Sequence, residues 1–135
     1  GAMKKIQSQS TSNPASISQA AAAAALDGPQ DCVQEMVTAF KERHDYLVEA
    51  LNALPGVECL HGDGTFYVFP SFQAAIEADS DVSNDVEFAE KLLKEAGVAL
   101  VPGSAFGAPG HMRLSFATSL DTLKQAIERL QKALG

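Results

Sequence analysis

Four β-prone runs occur in this chain, at residues 57–60, 65–69, 98–101 and 112–117, and all are short. Much longer helical patterns separate them. Read in order, the elements run α-α-β-β-α-β-β-α. Few short strands among long helices fit one architecture: α+β, a two-layer sandwich with a small, mostly antiparallel sheet and helices packed on one face. A length of 135 residues suits one domain with a core of its own.

The helical patterns carry their own boundaries. Ser12 or Asn13 can cap a first helix, with Pro14 in its first turn, and the alanine-rich run 17–26 continues it. So much alanine suggests close packing against a neighbour. Asp27-Gly28-Pro29 breaks this helix. Next, Val33, Met36, Val37, Phe40, His44, Leu47, Val48 and Leu51 make one apolar stripe at helical spacing, ended by Pro55-Gly56. His44 in that stripe reads as a partly buried histidine with one satisfied nitrogen, or as a ligand or base. Asn84 opens another helix, with Glu87 in a capping arrangement and Phe88, Ala89, Leu92, Leu93 and Ala96 as its apolar face. Thr118 and Asp121 begin the last, whose face is Leu120, Leu123, Ile127, Leu130 and Leu134. The polar residues 4–13 read as a flexible lead-in. The opening Gly1-Ala2-Met3 reads as an expression scar, so the native start is expected elsewhere.

Composition excludes several functions. A formal charge of −7 argues against nucleic-acid or anionic-membrane binding, which need a basic face. No apolar run approaches a membrane span. Cys32 and Cys59 are too few for a disulfide scaffold or a four-cysteine zinc site, and they suit a reducing cytoplasm. The acidic stretch 77–85 matches no calcium loop and reads as solvated; no metal site is expected. No nucleophile–base–acid set is visible, so no catalytic residue is assigned.

The more informative residues lie late in the chain. Residues 102–110 form a glycine-rich loop, which is neither a P-loop nor a dinucleotide fingerprint because a strand follows it. In that strand, alternation puts Arg113, Ser115 and Ala117 on one face and Met112, Leu114 and Phe116 on the other. An arginine among apolar neighbours must find a partner or solvent, and its fork matches a planar carboxylate. A surface arginine or an internal salt bridge is the plainer alternative.

These segments also carry a resemblance. Val98-Ala99-Leu100-Val101-Pro102-Gly103-Ser104-Ala105-Phe106-Gly107, then Gly110, then Arg113-Leu114-Ser115-Phe116-Ala117, resembles the C-terminal part of class I PLP-dependent aminotransferases of fold type I. Gly64-Thr65-Phe66-Tyr67-Val68-Phe69-Pro70 is similar to the family strand that precedes it, and Gln7-Ser8-Gln9-Ser10-Thr11-Ser12-Asn13-Pro14 to the segment after the cofactor-lysine region in aspartate-type members. The resemblance covers essentially the whole chain, in the right order.

The resemblance implies that residues 14–135 are the small domain and that 1–13 are scar and lead-in from a large domain that lies upstream. Arg113 matches the arginine that holds the substrate α-carboxylate, and Phe66 matches an aromatic position facing the substrate. Ser12 and Asn13 lie in the segment that approaches the cofactor phosphate, typically of the neighbouring subunit. The parent enzyme would be a cytoplasmic homodimer that uses pyridoxal 5'-phosphate to move an amino group between an amino acid and a 2-oxo acid. Lys4 and Lys5 do not match the Schiff-base position, so this chain alone is expected to bind no cofactor and to be inactive. Two other implications stay open: the small domain of a related PLP lyase or synthase, and a stand-alone binding or dimerisation module.

Overall fold

The computed structural model describes residues 1–135. Its helices are α1 (Ala2–Ser10), α2 (Ser16–Asp27), α3 (Asp31–Asn52), α4 (Gln73–Ala78), α5 (Asp85–Glu95) and α6 (Leu120–Leu134). Its strands are β1 (Tyr67–Val68), β2 (Val101–Pro102) and β3 (Met112–Ser115), and a 3-10 turn at Gly103–Phe106 follows β2. The chain divides into two compact units, residues 1–35 and 36–135.

In the first unit, residues 4–10 of the expected flexible lead-in are helical. Met, Lys and Gln are good helix formers despite their polarity. The Ser8 and Ser10 hydroxyls donate to the Lys5 and Ile6 carbonyls at 2.8 Å each. α2 starts later than expected: Ala15 is its N-cap, and neither Ser12 nor Asn13 caps it. Pro14 accounts for this, because it keeps Asn13 out of the helical region. The alanines of α2 are exposed, so the close packing they suggest is not made within the first unit.

In the second unit the strands form one antiparallel sheet of order β1-β3-β2. Tyr67 pairs with Ser115, Val68 with Leu114, Val101 with Arg113 and Pro102 with Met112. Val68, Met112, Leu114 and Phe116 are buried on one face. Tyr67 and Arg113 on the other are half-buried, and Ser115 and Ala117 are exposed. The core on the buried face adds Leu47 and Leu51 from α3, Phe88, Ala89 and Leu92 from α5, and Leu123, Ile127 and Leu130 from α6. The expected α+β class therefore holds, with the helices on one face of a small antiparallel sheet. The run 57–60 reaches the sheet only through a single bridge between Glu58 and Ser71.

Helix ends match the sequence in part. The Asn84 side chain accepts the Val86 and Glu87 N–H groups, both at 3.0 Å. Glu87 reaches back one residue further than a capping box would, accepting from the Ser83 N–H at 2.8 Å. Asn84→Ala is expected to lower stability by about 1 kcal/mol, read by chemical denaturation. α6 is capped by Ser119, which accepts the Thr122 N–H, rather than by Thr118 or Asp121. The acidic stretch is also less solvated than expected. Residues 77 and 78 close the unanticipated helix α4, Asp79 pairs with Lys91 at 2.7 Å, and Asp85 is buried.

Candidate functional site

Arg113 leaves β3 on the face that carries no helices. Its guanidinium carbon lies 5.5 Å from the centre of the Tyr67 ring and 5.0 Å from that of Phe106. Cross-strand geometry explains the first contact: Tyr67 pairs with Ser115, two residues along β3, so its ring reaches Arg113 diagonally. Phe106 arrives from the 3-10 turn. Aromatic faces attract a guanidinium through the ring quadrupole and restrict its rotation. None of the chain's salt bridges uses Arg113. The internal salt bridge weighed from sequence is therefore not made. A half-buried guanidinium that makes no ion pair within the chain has the paired N–H groups that a planar carboxylate takes.

The aromatic support extends outward. Phe69 meets Phe106 edge-on at 6.0 Å and stacks on His111 at 5.3 Å. Phe66 is 54% exposed, and its ring meets Tyr67 at 5.5 Å and 90°. Phe66 thus stands next to the ring that touches Arg113. Thr65 just before it has φ +68°, a left-handed conformation that costs a β-branched residue about 1–2 kcal/mol. Its hydroxyl recovers part of this by donating to the Tyr67 carbonyl at 3.0 Å.

Ser12 and Asn13 belong to the other compact unit, where both are exposed between α1 and α2. Sequence reasoning did not single out Tyr67 or Phe106. Alternation could have placed Tyr67 on the Arg113 face, but only the strand register makes them neighbours. No local pattern marks Phe106 within its loop.

A second polar cluster joins α3 to the following loop. His44 is buried, and its Nε2 accepts the Gly62 N–H at 3.2 Å. That assigns the ring proton to Nδ1, which donates to Asp45 Oδ1 at 3.3 Å. His61 Nε2 approaches the same oxygen at 3.1 Å, and Lys41 Nζ lies 2.6 Å from Asp45 Oδ2. The three potential metal-ligating atoms of His44, Asp45 and His61 lie within 4.8 Å of one another. Both nitrogens of His44 are engaged in hydrogen bonds, so the cluster acts as a clasp on the loop. The bond from Lys41, then those from His44 and His61, hold the Asp45 carboxyl well below the usual carboxylate range. A lowered carboxyl stabilises the fold above its unfolded value of about 3.9 and loses that contribution as pH falls through the folded value. The stability difference between wild type and Asp45→Asn is therefore expected to shrink as pH falls below about 4, checked by denaturation at a series of acidic pH values.

Known proteins resemble the chain at both levels. It is 49% identical to the aspartate/prephenate aminotransferase of Nitrosomonas europaea over 98% of its own length and 35% of that protein's. It is 48% identical to the aspartate aminotransferase of Geobacillus stearothermophilus over 97% and 33%. The crystal structure of the aspartate aminotransferase from Rhizobium meliloti superposes with a TM-score of 0.86 at 43% identity, over 98% of this chain and 34% of that one. The chain thus spans about a third of the length of the relatives it matches. Residues 1–130 match the family described as aminotransferase class I and II, and the chain belongs to that family.

Proposed function

We propose that this chain is the C-terminal small domain of a PLP-dependent aminotransferase of aspartate type, inactive alone, and that it binds the α-carboxylate of an amino acid or 2-oxo acid through Arg113. The observation that carries this reading is the Arg113 guanidinium, held between Tyr67 and Phe106 with no carboxylate of its own chain as partner. Phe66, exposed beside Tyr67, faces the substrate. The family and the aspartate-type relatives support the assignment.

The cofactor is a different matter. The residues here that could approach its phosphate are Ser12 and Asn13, a hydroxyl and an amide with no basic residue between 11 and 15. Lys4 and Lys5 are exposed on α1. This donor set does not make a PLP site by itself, because the chemistry needs a lysine in a built pocket and partners for the ring. The large domain of the parent enzyme, preceding residues 1–13, would hold the cofactor. We read the parent as a cytoplasmic homodimer in which Ser12 and Asn13 serve the neighbouring subunit. The exposure of Ile17, Leu26, Val33, Met36 and Val37 supports a covering surface outside this chain. No helix is long and apolar enough to cross a membrane.

The test compares two preparations. The full-length protein encoded with this chain, loaded with PLP, is expected to transaminate aspartate with a 2-oxo acid. The 135-residue chain alone is expected to give neither aldimine absorbance nor a single borohydride-trapped lysine. Absence of turnover by the full-length protein, or a stoichiometric lysine adduct with turnover in the chain alone, overturns the proposal.

A further inference from the structure

We infer that Asp85 is a positioning residue for Arg113, acting through the 3-10 turn and the Phe106 ring; this rests on the carboxylate-binding reading above. Asp85 is 3% exposed. Ionised carboxylates are seldom buried so completely without a dedicated partner, because burial removes their hydration. The partner here is a backbone donor on another element: the Ser104 N–H reaches Asp85 Oδ2 at 2.7 Å. A charge-assisted bond of this length is stronger than a neutral one and fixes direction as well as distance.

The position of Asp85 suits the task. It opens α5 directly after the Asn84 cap, where the positive end of the helix dipole favours an anion. The core residues Phe88, Ala89 and Leu92 of the same helix anchor it. Asp85 therefore carries the fixed position of α5 across to the loop. On the loop side, Ser104 lies inside the turn Gly103–Phe106, so its N–H sets the turn's orientation. The backbone bond from the Gly103 N–H to the His111 carbonyl, at 2.7 Å, ties the start of the turn to the foot of β3. Two fixed points, one on β3 and one on α5, define a short rigid turn. What the turn projects is Phe106, with its ring 5.0 Å from the Arg113 guanidinium carbon. Without the Asp85 bond the turn loses its tie to α5, and the Phe106 ring that it projects shifts against Arg113.

The experiment uses the 135-residue chain and reads the Arg113 Nε–Hε NMR signal, which the Phe106 and Tyr67 ring currents shift. Asp85→Ala is expected to move that signal toward its position in Phe106→Leu, and Asp85→Asn, which keeps an acceptor, to move it less. Adding Asp85→Ala to Phe106→Leu is expected to change the signal no further, since both act through one ring. Asp79→Asn, which breaks the half-buried ion pair with Lys91, is the control and should leave the signal in place. Titration with succinate supplies a second reading, with apparent affinity expected to fall about tenfold in Asp85→Ala. An unmoved Arg113 signal in both Asp85 variants, or shifts that add in the double variant, overturns the inference. If Asp85→Ala fails to fold, Asp85→Asn and the Phe106 comparison decide alone. Failure of succinate to perturb Arg113 in the wild type instead strikes the carboxylate-binding reading, while the ligand-free spectra still decide the role of Asp85.

Discussion

Arg113→Ala in the full-length enzyme is expected to lower kcat/KM for amino and 2-oxo acids by about tenfold to a hundredfold, with the cofactor still bound. That range comes from the bond alone: a hydrogen bond to a charged group contributes about 1.5–3 kcal/mol, or about tenfold to a hundredfold. Loss of orientation at the reacting carbon would add to it. The fold should tolerate the change, because Arg113 is half-buried, lies on the face without helices and makes no salt bridge that the variant would break. Arg113→Lys is the sharper comparison. It keeps the charge over Tyr67 and Phe106 but replaces the planar fork with a point donor. A carboxylate-binding role predicts that lysine recovers only part of the alanine loss. Steady-state kinetics with thermal melts of the same proteins separate this from a structural role. Unchanged kcat/KM with a lowered melting temperature would reject the assignment.

Some of this arrangement is legible in the sequence and some is not, for physical reasons. Helices are written locally, though not along their whole length: in the α3 stripe Phe40, His44, Leu47, Val48 and Leu51 turn inward while Val33, Met36 and Val37 at its start stay exposed, and in α6 Leu123, Ile127 and Leu130 are buried. Strand pairing is not local. The run 65–69 keeps only Tyr67–Val68 as strand, and 98–101 keeps only its last residue, because pairing needs a partner in register. The face of Arg113 follows from alternation, so its chemistry could be read early. Tyr67 and Phe106 reach it only through the β1–β3 register and the turn after β2, neither of which a single sequence specifies. Asp85 shows the same limit from another side. In a stretch of aspartates and glutamates it reads as one more solvated charge, and its burial becomes visible only when the Ser104 N–H is brought to it.

That turn can be tested from its other anchor. Gly103→Ala is expected to destabilise the protein at or above the upper end of the roughly 1–3 kcal/mol typical of overpacking. Gly103 is buried, and its φ is not in the left-handed region, so its requirement is space. A Cβ there would collide with the Ala108 carbonyl oxygen and lie 2.6 Å from that of His111. Neither oxygen can retreat freely. The His111 carbonyl accepts the Gly103 N–H at 2.7 Å, and the Ala108 carbonyl accepts the His111 N–H at 3.3 Å. Making room for one methyl therefore breaks the bonds that tie the turn to β3. Gly107 is the internal comparison, because its requirement is conformational: φ is +77°, and an added Cβ would meet nothing within 4 Å. Gly107→Ala should cost only the left-handed backbone, about 1–2 kcal/mol. Chemical denaturation of the two variants side by side should show the larger loss for Gly103→Ala. The Arg113 Nε–Hε signal should also move more in that variant, because the turn carrying Phe106 is displaced. Equal losses, or a larger one at Gly107, would mean that the loop yields to the methyl and does not hold Phe106 rigidly against Arg113.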